Sequence, residues 1–313
     1  MYPTPTPFKT QSIAVDHIHT LHVEHYGIPD GVPVVFLHGG PGCSWSRHVL
    51  RFFDPNYYRV LAFDQRGTWR SKPLGELENN TTGHLIADIE LLREMLGVER
   101  WIVFGGSWGS ALGVAYAQAH PARCMALLLR GVTLLRPGFE QWDFHTTRCL
   151  FPQAWEKMAA YAPLQERDNL YGFYCRAILG EDEATALEAS NYWYEYSDLL
   201  SNPCNISTQY DEEEEPDDLV LAGARISMHY WSNAAFLSPD ALYENAHKLK
   251  GIPGMIVHGQ LDYNCTVADA LDLHRIWPEA QFKAVENAGH DALEEGTARF
   301  TLSVIEGLKS TLR

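Results

Sequence analysis

Three observations predict an α/β fold class, a mostly parallel central sheet flanked by helices, with a helical block inserted into it. Short apolar runs, Val32–Leu37, Tyr58–Phe63, Trp101–Phe104, Cys124–Leu129, Gly254–Val257 and Gln281–Val285, sit towards both ends of the chain. Runs of that length with little polar alternation are the pattern of strands buried on both faces. Helix-periodic segments separate them, notably 83–96 and the alanine-rich Ala111–Gln118. The middle of the chain, 134–239, has no such strand and is instead aromatic-rich and helix-periodic. The expected organisation is therefore a core made of 1–133 and 240–313, interrupted by a helical cap over 134–239.

Composition bounds the function. At 313 residues, 46% hydrophobic and 20% charged, the chain has enough apolar mass for one large domain with an insertion. Asp and Glu number 40 against 24 Lys and Arg, a formal charge of −16, and a field of that sign argues against a nucleic-acid partner. No apolar run approaches membrane-spanning length, and Met1-Tyr2-Pro3-Thr4-Pro5 has no charged region followed by an apolar core. A cytoplasmic location is expected, with no membrane partner. Six scattered cysteines without a C-x-x-C pair indicate neither zinc nor a disulfide framework. Asn80-Thr81-Thr82 and Asn205-Ile206-Ser207 match a glycosylation acceptor pattern that carries no weight without a secretion signal.

Taken in order, residues 11–25 alternate enough to form an antiparallel hairpin ahead of the main sheet. The strand ending at Leu37 runs into His38-Gly39-Gly40-Pro41-Gly42, and the one ending at Phe63 into Asp64-Gln65-Arg66-Gly67. The decisive segment is Trp101 to Gln118. A buried strand breaks at Gly105-Gly106-Ser107-Trp108-Gly109 and resumes as a helix, the strand–turn–helix context of a G-x-S-x-G nucleophile elbow in the α/β-hydrolase fold. Side chains at Gly105 and Gly109 would clash with the adjoining strand and helix, so Ser107 can occupy a strained turn. Helices are expected over Phe151–Ala160, Leu170–Leu179 and Ala184–Tyr196, and a solvated loop over the acidic run Asp211–Asp218. Asp262 follows the Gly254–Gly259 strand, and Gly289-His290 follows the last one.

The order Ser107, Asp262, His290, each at the carboxyl end of a strand, is the triad order of this fold. Asp64 precedes the serine and is excluded as the acid on that ground. The expected chemistry is acyl transfer to water through a covalent acyl-enzyme, with no metal and no organic cofactor. Backbone N–H groups at Gly40, with Gly39 as the rival, and at Trp108 are the candidate oxyanion donors. His38 is expected to brace the loop, as is the Asp64–Ser71 segment through Arg66. A serine nucleophile disfavours dehalogenase and epoxide hydrolase chemistry, which need a carboxylate there.

His38-Gly39-Gly40-Pro41-Gly42, Asp64-Gln65-Arg66-Gly67, Gly105-Gly106-Ser107-Trp108-Gly109-Ser110 and Leu129-Arg130-Gly131 together resemble the prolyl aminopeptidase (proline iminopeptidase) family, the S33 serine peptidases. Ala224-Arg225-Ile226, His229-Tyr230 and Gly289-His290 are similar to later blocks of the same family. The resemblance implies release of an N-terminal proline from small peptides, with cap carboxylates around the free amine and aromatics around the pyrrolidine ring. It implies a substrate-binding set of Glu195, Ser227, Thr133, Trp231 and Arg130. Three of these depart from the family pattern: Ser227 stands where a second glutamate is expected, Thr133 where an aromatic is, and Trp231 where a phenylalanine is. Loss of one of two carboxylates weakens recognition of an ammonium group. The alternatives are a family member retuned to another small amide or ester, such as a biosynthetic intermediate, and a binding protein that keeps the fold without turnover.

Overall fold

The computed structural model describes residues 1–204 and 215–311 of the chain. The N-terminal alternation forms strands β1 (Lys9–Ala14) and β2 (Thr20–Gly27), paired antiparallel. The buried apolar runs become β3 (Val32–Leu37), β4 (Tyr58–Phe63), β5 (Trp101–Gly106) and β6 (Cys124–Arg130). Helix α1 (Thr82–Met95) precedes β5 and α2 (Trp108–Ala119) follows it. After β6 come α3 (Phe139–Phe144), α4 (Pro152–Tyr161), α5 (Leu170–Ile178), α6 (Glu183–Ser201) and α7 (Asp217–Ser232). A short α8 (Ala241–Glu244) leads to β7 (Gly254–Gly259), α9 (Val267–Ile276), β8 (Ala280–Val285) and α10 (Glu295–Thr311).

The strands form one eight-stranded sheet in the order β1-β2-β4-β3-β5-β6-β7-β8. β2 meets β4 antiparallel, and every pairing from β4 to β8 is parallel. Alternate residues of β5 feed two cores, one on each face of the sheet. Trp101 and Val103 pack with Leu85, Ile89, Leu112 and Tyr116 of α1 and α2. Ile102 and Phe104 pack with Phe52, Phe53 and, from α10, Val304 and Ile305. Burial on both faces explains why β5 reads as a continuous apolar run.

Helices α3 to α7 share a cluster of their own around Phe144, Met158, Tyr174, Tyr196 and Met228. α7 divides its faces: Ala224 and Met228 join that cluster, while Ile226 and Tyr230 enter the core against α1 and α2. The acidic run is not a loop throughout. Asp217 and Asp218 form the first turn of α7, where carboxylates oppose the positive end of the helix. Asp211–Glu214 and the Asn205-Ile206-Ser207 triplet lie outside the described residues.

The carboxyl ends of β3, β5, β6, β7 and β8 converge, and backbone contact between them is very close. A Cβ at Gly109 would lie 2.1 Å from Leu37 O and 2.8 Å from His38 O, and one at Gly105 would lie 2.1 Å from Gly109 O. Backbone atoms cannot move aside as a side-chain tip can. Gly109→Ala should therefore lower the unfolding free energy by about 3 kcal/mol in a urea titration. An unchanged midpoint would show that this approach is not required.

Candidate active site

The site begins with backbone strain. Ser107, between β5 and α2, sits at φ 58° and ψ −131°, a region that residues with a Cβ rarely occupy. Hydrogen bonds hold it there on both sides. Its N–H donates to Arg130 O at 3.0 Å, and its carbonyl accepts from Ser110 N at 2.8 Å and Ser110 Oγ at 2.7 Å. A Cβ at Gly39 would stand 3.2 Å from Ser107 Cβ, so the glycine loop after β3 runs directly beside the serine.

Asp262, on the turn after β7, and His290, after β8, meet with Nδ1 and Oδ2 2.5 Å apart. The second Asp262 oxygen accepts from Cys265 N at 2.8 Å and Asn264 N at 3.1 Å. Burial alone would raise the Asp262 carboxyl, but His290, His258 and the Cys265 N–H outweigh it and hold it below its ordinary value. The backbone passes close under the imidazole, since a Cβ at Gly131 would lie 2.9 Å from His290 Cε1. Among the described residues no hydrogen bond joins Ser107 Oγ to His290. The link between the two loops is Arg130, whose carbonyl accepts from Ser107 N and whose guanidinium donates to His290 O.

The loop at 38–42 is braced from β4. His38 Nε2 accepts from Gln65 N at 3.0 Å, its Nδ1 side faces Gly39 O at 2.9 Å, and Gln65 Nε2 donates to His38 O at 3.0 Å. Gln65 Oε1 then accepts from Trp108 Nε1 at 2.9 Å, which ties the loop to the first residue of α2. Arg66, expected to serve as this brace, does not reach it. Its guanidinium is spent on Asp88 at 2.7 Å, Asp16 at 2.6 Å and Asn79 O at 2.6 Å. Asp64 is bound to Arg70 and Trp45, away from the imidazole. Gly40 sits at φ 118°, and no hydrogen bond among the described residues takes up the N–H of Gly39, Gly40 or Trp108.

Helices of the inserted block are fastened to the same loops. The C-terminal turn of α6 accepts from Tyr263 N at Leu200 O and from His290 N at Ser201 O, both at 2.9 Å. Asn264 Nδ2 adds a bond to Ser201 Oγ at 3.0 Å. α7 meets the glycine loop directly: a Cβ at Gly42 (φ 100°) would lie 2.3 Å from Gly223 O, and one helical turn on Ser227 Oγ donates to Pro41 O at 2.5 Å.

This arrangement changes the expected substrate-binding set. Ser227 is 2% exposed and occupied with Pro41, so it clamps helix to loop rather than presenting a side chain to a ligand. Glu195 lies on the outer surface of α6, paired with Lys157 Nζ at 2.5 and 2.6 Å and 60% exposed. It is 100° around the helix from Tyr194, whose hydroxyl reaches Gly223. Arg130 is a support under His290. Trp231 does stand at the site, edge-on to Trp108 at 6.2 Å and against Phe139 at 5.2 Å, with Tyr171 beyond it at 5.7 Å from Phe139. Thr133 is half-buried beside the elbow, its N–H donating to Ser110 Oγ at 3.2 Å.

Three contributors were not singled out in the sequence. His258, within β7, accepts from Val132 N at 3.0 Å, faces Cys265 O at 2.6 Å and stands 3.5 Å behind Asp262 Oδ2. A polar residue in an otherwise apolar strand was its only signal. Gln65 lay within the Asp64-Gln65-Arg66-Gly67 motif, but the brace was expected through Arg66, and Trp142, whose indole donates to Tyr263 O at 2.7 Å, had no signal, because its partner is far away in sequence.

A family model described as the α/β hydrolase fold matches residues 32–297. The proline iminopeptidase of Xylella fastidiosa (strain 9a5c) is 44% identical over 297 residues, 94% of each chain. That of Arabidopsis thaliana is 39% identical over 315 residues, covering 100% of this chain and 83% of the relative. The crystal structure of proline iminopeptidase from Mycobacterium smegmatis superposes with TM-score 0.61 at 18% identity, over 96% of this chain and 98% of that one, a likeness of fold. Among the described residues no helix is long and apolar enough to cross a membrane.

Ser227→Ala leaves Pro41 O unpaired under α7. Stability in urea should fall by about 1–2 kcal/mol. Equal stability would mean that the clamp contributes nothing.

Proposed function

We propose that this chain, which belongs to the proline iminopeptidase family of α/β-hydrolases, works as a serine hydrolase that releases an N-terminal proline or a similar residue from small peptides and amides. The observation that carries the reading is the hydrogen-bonded Asp262–His290 pair on loops that Arg130 ties to the strained Ser107 turn. In this reading His290 Nε2 takes the Ser107 proton as Oγ attacks the scissile carbonyl, and Asp262 holds the opposite ring nitrogen and steadies the imidazolium. The N–H groups of Gly40 and Trp108 receive the oxyanion, a role for which each is unspent. Collapse of the tetrahedral intermediate transfers the proton to the leaving amine and leaves a prolyl ester on Ser107. Water, deprotonated by His290, then hydrolyses the ester and frees the amino acid and the serine.

The division into a core of 1–133 and 240–313 and a cap of 134–239 belongs to this proposal. Its support is the separate cluster of α3 to α6 and the fastening of α6 and α7 to the catalytic loops. The aromatic wall of Trp231, Phe139 and Tyr171 suits a pyrrolidine ring. A cytoplasmic setting and a small free substrate complete the reading.

A second reading, hydrolysis of another small amide or ester under the same cap, is favoured by one observation. Glu195 and Ser227 are committed to Lys157 and Pro41, and so neither is placed to hold an amine.

Labelling with a fluorophosphonate probe, read by intact mass, tests the machinery. One adduct per chain is expected, absent in Ser107→Ala. Asp262→Asn should lower kcat about ten-thousandfold while the chain stays folded. An adduct on folded Ser107→Ala equal to wild type would remove Ser107 from the role.

A further inference from the structure

If neither Glu195 nor Ser227 faces the substrate, an amine-recognising site must take its negative charge from elsewhere. Helix α3 supplies a carboxylate in the right place. Trp142 fixes this helix to the turn that carries the catalytic acid, through its indole bond to Tyr263 O. The next residue is Asp143, half-buried, whose backbone carbonyl accepts from Thr147 Oγ1 at 2.8 Å. No hydrogen bond and no ion pair of its carboxyl group is found among the described residues.

Among the described residues no cation compensates that carboxyl group. The titratable groups that face it are Glu140 on its own helix, Asp262 and Cys265 on the turn after β7, and Tyr196 on α6. Burial, then Glu140 and Asp262, push the Asp143 carboxyl up to about 8. An unpaired, partly buried acid beside other carboxylates favours a positive charge that arrives with a ligand. The same helix places Phe139 in the aromatic wall with Trp231 and Tyr171. Phe139 and Asp143 are four residues apart on α3 and share a face of it, the face that packs on Trp231 and, through it, on Trp108. In a substrate whose carbonyl lies at Ser107, the amine is only one carbon further on.

We propose that Asp143 is the specificity-determining carboxylate of this enzyme, receiving the substrate's N-terminal ammonium group in the role that the family resemblance placed on Glu195 and position 227. The inference rests on the aminopeptidase reading given above. Glu140 supplies additional negative potential from one turn away.

The test is the ratio of kcat/KM for proline-β-naphthylamide to kcat/KM for p-nitrophenyl acetate, which has no amine. In Asp143→Asn and Asp143→Ser this ratio should fall about 100-fold from the wild-type value, as expected when a charge partner is removed. The loss should fall mainly on KM. Asp143→Glu, which keeps the charge, should stay within about tenfold of wild type. Two neutral variants are included so that one folded protein suffices, and fluorophosphonate titration counts the competent sites in each. A ratio within about threefold of wild type in a folded neutral variant overturns the assignment of Asp143 while leaving the aminopeptidase reading in place. Wild-type enzyme that cleaves the ester but no prolyl or alanyl amide overturns both.

Discussion

Everything at this site depends on how closely the end of β3 approaches the start of α2. Leu37 O and His38 O lie where side chains at Gly109 would otherwise be, and Gly109 O in turn occupies the space above Gly105. That contact allows the chain to reverse from strand to helix within a few residues. It forces Ser107 to a positive φ and brings Gly39 against its Cβ. A turn of this kind is unfavourable in isolation by about 1–3 kcal/mol. It persists because β5 is buried on both faces and because Arg130 O and Ser110 hold the serine's backbone from either side.

The inserted helices are more than a roof. α6 accepts backbone N–H groups from both the acid loop and the base loop, and α7 presses Gly223 and Ser227 against Gly42 and Pro41. The loops of Asp262, His290 and Gly42 are thus each held between a sheet end and an inserted helix. Substitutions within the cap will therefore act on loop position as well as on substrate fit. A residue there cannot be assigned to the substrate merely because it lies near the opening. Ser227 shows this most clearly: a small hydroxyl at that place shortens the distance between helix and loop, and a longer acidic side chain would need the two to part.

Much of the fold was legible in the sequence. β3 and β4 follow their apolar runs residue for residue, and the helices near 152, 170 and 183 start close to where their periodicity does. α10 was harder to read, because Gly296, Gly307 and several threonines lower its helix propensity although Ala298, Thr301, Val304, Ile305 and Leu308 mark one buried face. At the site, motif and chain order singled out Ser107, Asp262 and His290, and the structure draws the last two into one hydrogen bond. Side-chain direction was not legible. Glu195 and Tyr194 are neighbours in sequence, yet one faces Lys157 and solvent while the other reaches towards Gly223. A shift of one residue on a helix turns a side chain through 100°. Arg66 was misjudged for a related reason, since its partners Asp16 and Asp88 are remote in sequence while the shorter Gln65 is the one that meets His38. Asp143 carried no motif at all, and only the placement of α3 by Trp142 brings it to notice.

The central claim is that a strained serine, served by the Asp262–His290 pair and covered by a cap with aromatic and acidic walls, hydrolyses amides that bear a free amine. Its most direct test is steady-state hydrolysis of proline-β-naphthylamide beside alanine-β-naphthylamide and the N-acetylated prolyl compound, with Ser107→Ala as the blank. The account predicts turnover of the free prolyl amide that exceeds both others and vanishes in the blank. Equal cleavage of the acetylated and free compounds, or prolyl turnover that survives in Ser107→Ala, would contradict it.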